Sequence, residues 1–160
     1  MKIRVYPNWC IRLGRALFVT LVIGLVSLPA QAIEVGDQFH LKSVELLDGR
    51  VVDDKTWRQR LTVVQVWATW CPYCRAQNKV LQQLYEKVKP SRLNYLTISV
   101  DKNKTVVEKY LQDHQYTFPV AMMSPNLKEA IGKRKGVPEL YVLDRNGNVL
   151  YKAYGQLFDE

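Results

Sequence analysis

Two of the three cysteines of this chain, Cys71 and Cys74, stand three residues apart in Trp70-Cys71-Pro72-Tyr73-Cys74. Two thiols at that spacing can exchange disulfides. The run Leu61 to Ala68 is apolar apart from Thr62 and Gln65, and after Pro72 the apolar period turns helical, so Cys71 falls where a buried strand hands over to a helix. Unpaired backbone N–H groups and the helix dipole at that junction favour an anion, which lowers a thiol pKa and exposes a nucleophilic thiolate. Cys71 is therefore the candidate attacker. Cys74, almost one helical turn further on, can reach the first sulfur while the helix shields it from solvent. It would resolve the mixed disulfide formed by Cys71 and release the partner reduced. Run backwards, the same chemistry oxidises a dithiol.

Other uses of the pair fit less well. A structural bridge between residues so close in sequence closes a very small loop and stabilises little, because loop-closure stabilisation grows with loop length. A closed zinc site wants four ligands, and beyond the leader described below only Cys71, Cys74, His40 and His114 are available, the histidines distant and unpaired in spacing. Soft thiolates suit Cu(I) better. A copper-binding assembly factor using Cys71, Cys74 and His114 is thus one alternative, and a non-catalytic peptide-binding module is another.

The elements that must position the thiols begin after a leader. Lys2, Arg4, Arg12 and Arg15 form a basic start without an acid, an apolar and small-residue run follows from Ala16 to Leu28, and Pro29 leads into Ala30-Gln31-Ala32. This order predicts a signal peptide over residues 1–32, cleaved before Ile33. The alternative is an uncleaved inner-membrane anchor, but the apolar run is shorter than the roughly 20 residues that cross a bilayer. Cys10 precedes the apolar run, so it is badly placed for a lipid anchor and leaves with the leader.

Of the 160 residues, 128 then remain, enough for one domain over residues 33–160. The full-length charge of +8 comes from 23 basic and 15 acidic residues, and loss of the four leader cations reduces it to +4. That balance excludes a nucleic-acid binder. The densest basic cluster, Lys133-Arg134-Lys135, lies between Gly132 and Gly136 and reads as a solvated turn, with at most peripheral attraction to membrane phosphates or an acidic partner.

Leu41 to Leu47 predicts a strand, Asp48-Gly49 a turn, and Val51-Val52 the second arm of an N-terminal hairpin. Asp54 to Gln59 predicts a short helical turn. After the buried strand, the active-site helix presents Ala76, Val80, Leu81, Leu84, Tyr85 and Val88 on one side, starts at Pro72, where a missing N–H is harmless, and ends near Lys89-Pro90. Leu93 to Val100 is a second buried strand, Thr105 to His114 a helix, Phe118 to Met122 a short extended piece, and Asn126 to Lys133 a shorter helix. Leu140 to Leu143 and Val149 to Tyr154 flank Asn146-Gly147, a hairpin turn. Early helices between strands imply parallel crossovers and the late hairpin adds antiparallel edges. The expected class is α/β, with a mixed central sheet flanked by helices.

With those segments in place, "VWATWCPYCR" resembles the active-site segment of the thioredoxin superfamily, specifically the exported TlpA-like thiol:disulfide oxidoreductases that include the cytochrome c maturation thioredoxins. "LTISVDKNKTVVEKYLQDHQYTFPV" resembles their inserted strand and helix, and "GVPELYVLDRNGNVLYKAYG" their cis-proline loop and final hairpin. The resemblance runs from about Ile33 to Gly155 and implies a thioredoxin fold with an N-terminal hairpin extension. It implies a cis Pro138 beside the dithiol, where the backbone of Val137 can pair with an extended substrate segment and proline keeps a donor and a metal ligand away. Trp70, Pro72 and Tyr73 join Val137 and Pro138 as substrate-contacting residues, whereas Trp67 belongs to the core.

The chain departs from that pattern in three places. Where thioredoxins carry a buried aspartate six residues before the first cysteine, it has Gln65, which takes up no proton at ordinary pH. Glu139 and Asp101 are the candidate proton-transfer groups in its stead, each also readable as a solvated loop acid. Gln77-Asn78-Lys79 lacks a proline found in relatives, so the active-site helix is expected without their kink. Only five residues follow Gly155, and the usual C-terminal helix is expected to be missing or supplied by a partner. The reading as a whole is a periplasmic disulfide reductase acting on cysteine-containing exported proteins, fed by a membrane-embedded thiol electron carrier, needing no metal or cofactor beyond its own cysteine pair. The closest rival is a dithiol oxidase on the same residues.

Overall fold

A computed structural model of the chain describes residues 31–88, 92–155 and 157. The expected signal peptide lies outside the described residues save its last two positions, as does most of the segment after Gly155, and the active-site helix ends at Lys87, just short of the expected Lys89-Pro90. Eleven elements follow in order: β1 (Val44–Glu45), β2 (Val51–Val52), α1 (Asp54–Trp57), β3 (Leu61–Trp67), α2 (Pro72–Lys87), β4 (Leu93–Ser99), α3 (Lys104–Asp113), β5 (Val120–Met122), α4 (Pro125–Ile131), β6 (Glu139–Leu143) and β7 (Val149–Tyr154).

Five strands form one mixed sheet in the order β5-β4-β3-β6-β7. β3, β4 and β5 are parallel, β6 runs antiparallel to β3, and β7 antiparallel to β6. The valine-rich β3 occupies the centre because every residue after Leu61 is buried, so both of its faces need cover. Strand alternation divides that cover into two cores. Val64 and Val66 join Leu96, Ile98, Tyr141 and Leu143 beneath α4 and the N-terminal segment. Val63 and Trp67 join Tyr95, Leu81, Val107 and both cysteines of the exchange pair on the α2 and α3 side.

The N-terminal hairpin forms as β1 and β2, shorter than the apolar pattern implied. Its first arm stops early because the Leu47 N–H turns away to the Val120 carbonyl at the start of β5 (2.7 Å), while Leu46 bonds Arg50 across the Asp48-Gly49 turn. The helices begin where side-chain caps allow. Asp53, Asn103 and Ser124 each accept a first-turn N–H, of Thr56, Thr105 and Leu127 respectively. In the final hairpin Asp144 accepts from the backbone N–H groups of Asn146 and Asn148 at 2.7 and 2.8 Å, and Gly147 takes the positive φ of 85° that the turn needs.

α2 runs unbroken over 16 residues, across the Gln77-Asn78-Lys79 stretch where no proline interrupts it. Its buried positions are Cys74, Gln77, Asn78, Leu81 and Gln82. The apolar period pointed to Ala76, Val80, Leu81, Leu84, Tyr85 and Val88, of which Leu81 is buried, Ala76, Val80, Tyr85 and Val88 are half-buried and Leu84 is exposed. The helix is rotated because it buries amides as well as hydrocarbons, which a count of apolar residues does not register.

Candidate active site

The sheet presents the ends of β3, β4, β5 and β7 and the start of β6 on one side of the molecule, and the cysteine pair sits there at the entrance to α2. Cys71 is the N-cap of that helix, with extended backbone (φ −90°, ψ 115°) and Pro72 in the first turn. The two sulfurs are joined as a disulfide across a Cα separation of 5.2 Å. The backbone N–H of Cys74 points at Cys71 Sγ from 3.2 Å. On reduction the same N–H, at the positive end of a 16-residue helix, favours a sulfur anion on Cys71.

The two cysteines differ in access. Cys71 retains 5% of its surface and Cys74 none. Facing Cys71 is the loop before β6, where the Val137–Pro138 peptide bond is cis. The Val137 carbonyl oxygen lies 3.6 Å from Cys71 Sγ, so this backbone and the outer sulfur form one surface. Trp70 and Tyr73 flank it with 67% and 61% of their surfaces exposed. Cys71 and Val137 thus meet, with Trp70, Pro72 and Tyr73 next to Cys71 in the chain and Pro138 next to Val137. Trp67 is fully buried, tilted against Tyr110 and edge-to-face with Phe118, with centroids 5.4 and 6.4 Å apart.

The two candidate acids occupy different surroundings. The Asp101 carboxylate accepts from the Thr69 N–H at 3.0 Å, the Thr69 hydroxyl at 2.7 Å and the Ser99 hydroxyl at 2.8 Å. Both oxygens are engaged in tying the β3–α2 loop to the end of β4. Glu139 is almost wholly buried at 1% exposure and accepts from Tyr141 Oη at 2.8 Å and from the Lys135 N–H at 3.1 Å. Because Glu139 pairs with Val66 and Tyr141 with Val64, its side chain shares the face of the Val64 and Val66 core. Cys74 packs on the opposite face with Val63 and Trp67. Burial, followed by the contact with Glu139, raises the Tyr141 hydroxyl pKa far above its ordinary value, so this phenol stays a donor.

Beneath Cys74 lies a group of amides that the apolar pattern did not single out. Gln65 Nε2 donates to Asn78 Oδ1 at 2.5 Å, and both side chains are fully buried. Gln77, at 1% exposure, packs on the same helix face. Gln65 Oε1, Asn78 Nδ2 and both polar atoms of Gln77 lack a partner among the described residues. Asn78 follows Cys74 by four residues, and that spacing was the available signal, since residues four apart share a helix face. Among the described residues no cluster of three or more His, Cys, Asp and Glu could hold a metal ion. His114 stacks on both Tyr110 and Tyr116, with Nδ1 2.9 Å from the Tyr110 carbonyl oxygen. No helix among the described residues is long and apolar enough to cross a membrane.

Comparison with known proteins bears on this geometry. The AhpC/TSA family matches residues 35–152. The thiol-disulfide oxidoreductase ResA of Oceanobacillus iheyensis is 28% identical over 127 residues, covering 77% of this chain and 66% of its own length. The thiol:disulfide interchange protein CycY of Rhizobium leguminosarum bv. viciae is 32% identical over 103 residues, covering 64% of this chain and 54% of its own. A crystal structure of a thiol:disulfide interchange protein of the thioredoxin family from Chlorobium tepidum superimposes with a TM-score of 0.64 at 25% identity, covering 78% of this chain and 88% of that one. With its dithiol at a helix entrance and a cis-proline loop opposite, the chain belongs to the AhpC/TSA family and, within it, to the TlpA-like thiol:disulfide oxidoreductases of thioredoxin fold.

Proposed function

We propose that this protein is exported to the periplasm and reduces disulfides in exported partner proteins, with Cys71 as attacker and Cys74 as resolving thiol. The observation that carries the assignment of roles is the difference in access: the outer sulfur of Cys71 shares a surface with the Val137–Pro138 backbone, whereas Cys74 is fully enclosed. Cys71 thiolate attacks one partner sulfur, forming a Cys71–partner bond and expelling the other partner sulfur as a thiolate that takes up a proton. Cys74 then attacks Cys71, the internal disulfide forms, and the second partner thiol leaves with a proton. Two electrons pass from the pair to the partner, and no cofactor takes part.

Trp70, Pro72, Tyr73 and Val137 line the path of an extended partner segment, and the cis Pro138 removes an N–H donor from that path. Asp101 and Glu139 are the acids on offer for proton transfer; since both have their oxygens engaged, holding the site is the role their contacts favour. Electrons return to the pair from a membrane-embedded thiol carrier, and residues 1–32 supply export by a cleaved signal, or an inner-membrane anchor if they are retained.

Two measurements test this reading. In Cys74→Ser the reaction stalls after the first attack, so partners accumulate as mixed disulfides on Cys71 that dithiothreitol releases. If Cys71→Ser traps partners equally well, the roles are reversed. The reduction potential of the pair decides the direction: a value toward the thioredoxin end of the scale, about −270 mV, supports a reductant, and one toward about −120 mV makes the protein a disulfide donor.

A further inference from the structure

The side of the sheet that carries the dithiol also gathers unpaired positive charge. Arg75 follows Cys74 on α2, Lys102 follows Asp101 at the end of β4, and Lys133, Arg134 and Lys135 lead into Val137 and Pro138. All but the half-buried Arg134 are exposed, and none of the five takes part in an ion pair among the described residues. Among the described residues, two carboxylates on this side are engaged with other partners. Asp101 is occupied by Thr69 and Ser99, and Glu139 is buried against Tyr141. Lys104, at the start of α3, pairs with Glu108 at 3.5 Å. In sequence the 133–135 cluster reads as a turn; in the fold the same turn is the shoulder of the cis-proline loop.

Like charge concentrated at a reactive opening selects partners by long-range attraction and by repulsion of the wrong ones. The exposed Trp70 and Tyr73 beside it offer apolar contact without charge preference. We propose that this basic rim selects protein partners whose exchanging cysteine is flanked by Asp or Glu. The inference rests on the exchange reaction proposed above and adds the chemistry of its partner. Carboxylates on both sides of the partner cysteine meet Arg75 on one flank and the Lys133–Lys135 loop on the other while the cysteine reaches Cys71. Electron and proton flow are unchanged.

The experiment uses the reduced protein and two synthetic peptides with the same intramolecular disulfide, one flanked by Asp and Glu, the other by Lys and Arg. A small uncharged disulfide, bis(2-hydroxyethyl) disulfide, serves as reference. At about 10 mM salt, the acidic peptide is reduced at least ~10-fold faster than the basic one, and at about 0.5 M salt the ratio falls to within ~2-fold, as screening requires. The variant Lys133→Glu/Lys135→Glu changes two exposed side chains, keeps the Lys135 backbone N–H on Glu139, and reverses the preference while reducing the uncharged disulfide at the wild-type rate. Equal rates for the two peptides in wild type, or a preference that survives the charge reversal, overturn the inference while exchange stands. Reduction of no disulfide by wild type removes the exchange reading and the inference with it. Equal peptide rates together with sedimentation on phosphatidylglycerol but not phosphatidylcholine vesicles identify the rim as a membrane-contact surface instead.

Discussion

Replacing the Gln65–Asn78 pair by hydrocarbon should have opposite effects one residue at a time and two at a time. Both side chains are at 0% exposure and meet through one hydrogen bond of 2.5 Å below Cys74. Gln65→Met follows the same side-chain path without polar atoms, and Asn78→Leu keeps the same branching. Each single variant strips the partner from a buried amide, Asn78 Oδ1 in the first and Gln65 Nε2 in the second, and should cost about 1–3 kcal/mol. The double variant removes every polar atom of the pair, including Gln65 Oε1 and Asn78 Nδ2, which have no partner among the described residues. It should therefore lie within about 1 kcal/mol of wild type or above it, since loss of both partners is close to neutral. Urea unfolding of the oxidised protein, followed by tryptophan fluorescence and extrapolated linearly, yields all four stabilities. If the double variant's loss equals the sum of the singles within about 0.5 kcal/mol, the pair is not coupled and the reasoning fails.

Asp101→Ala leaves the Thr69 N–H and two hydroxyls without their acceptor, and should lose roughly 1–3 kcal/mol in the same unfolding assay while slowing disulfide reduction, because the freed loop carries Trp70 and Cys71. Tyr141→Phe removes the donor to buried Glu139 and should be less stable at neutral pH by about 1–3 kcal/mol. The folded-state pKa of Tyr141 is raised, so its contribution is complete below the unfolded value of about 10 and is lost as pH climbs above it; melting temperatures between pH 7 and 11 should show the gap to the variant closing on the alkaline side only. Gly132 has φ 68° and ψ −148°, a region almost reserved for glycine, so a side chain there strains the backbone whatever surrounds it. Gly132→Ala should lower the melting temperature by several degrees, and an unchanged value would show that the backbone at 132 relaxes without penalty.

The sequence by itself determined the dithiol and its place at a strand-to-helix junction, the order of strands and helices, and both hairpin turns. Each of those is a local signal: a C-x-x-C spacing, a valine-rich run, a proline at a helix start, Asp48-Gly49 and Asn146-Gly147 between apolar arms. What it left open was decided by pairing between distant segments. Glu139 follows Pro138 directly, yet register with Val66 turns its carboxylate to the face away from Cys74, because a strand reverses its side chains at every residue. Asp101 looked free until the fold brought Thr69 against it. Asn78 became the partner of Gln65 only when α2 settled on β3, and the basic turn at 133–135 acquired its position from the cis-proline loop it leads into. Spacing along a chain states which groups are available; register and packing between segments far apart in sequence state what each one touches.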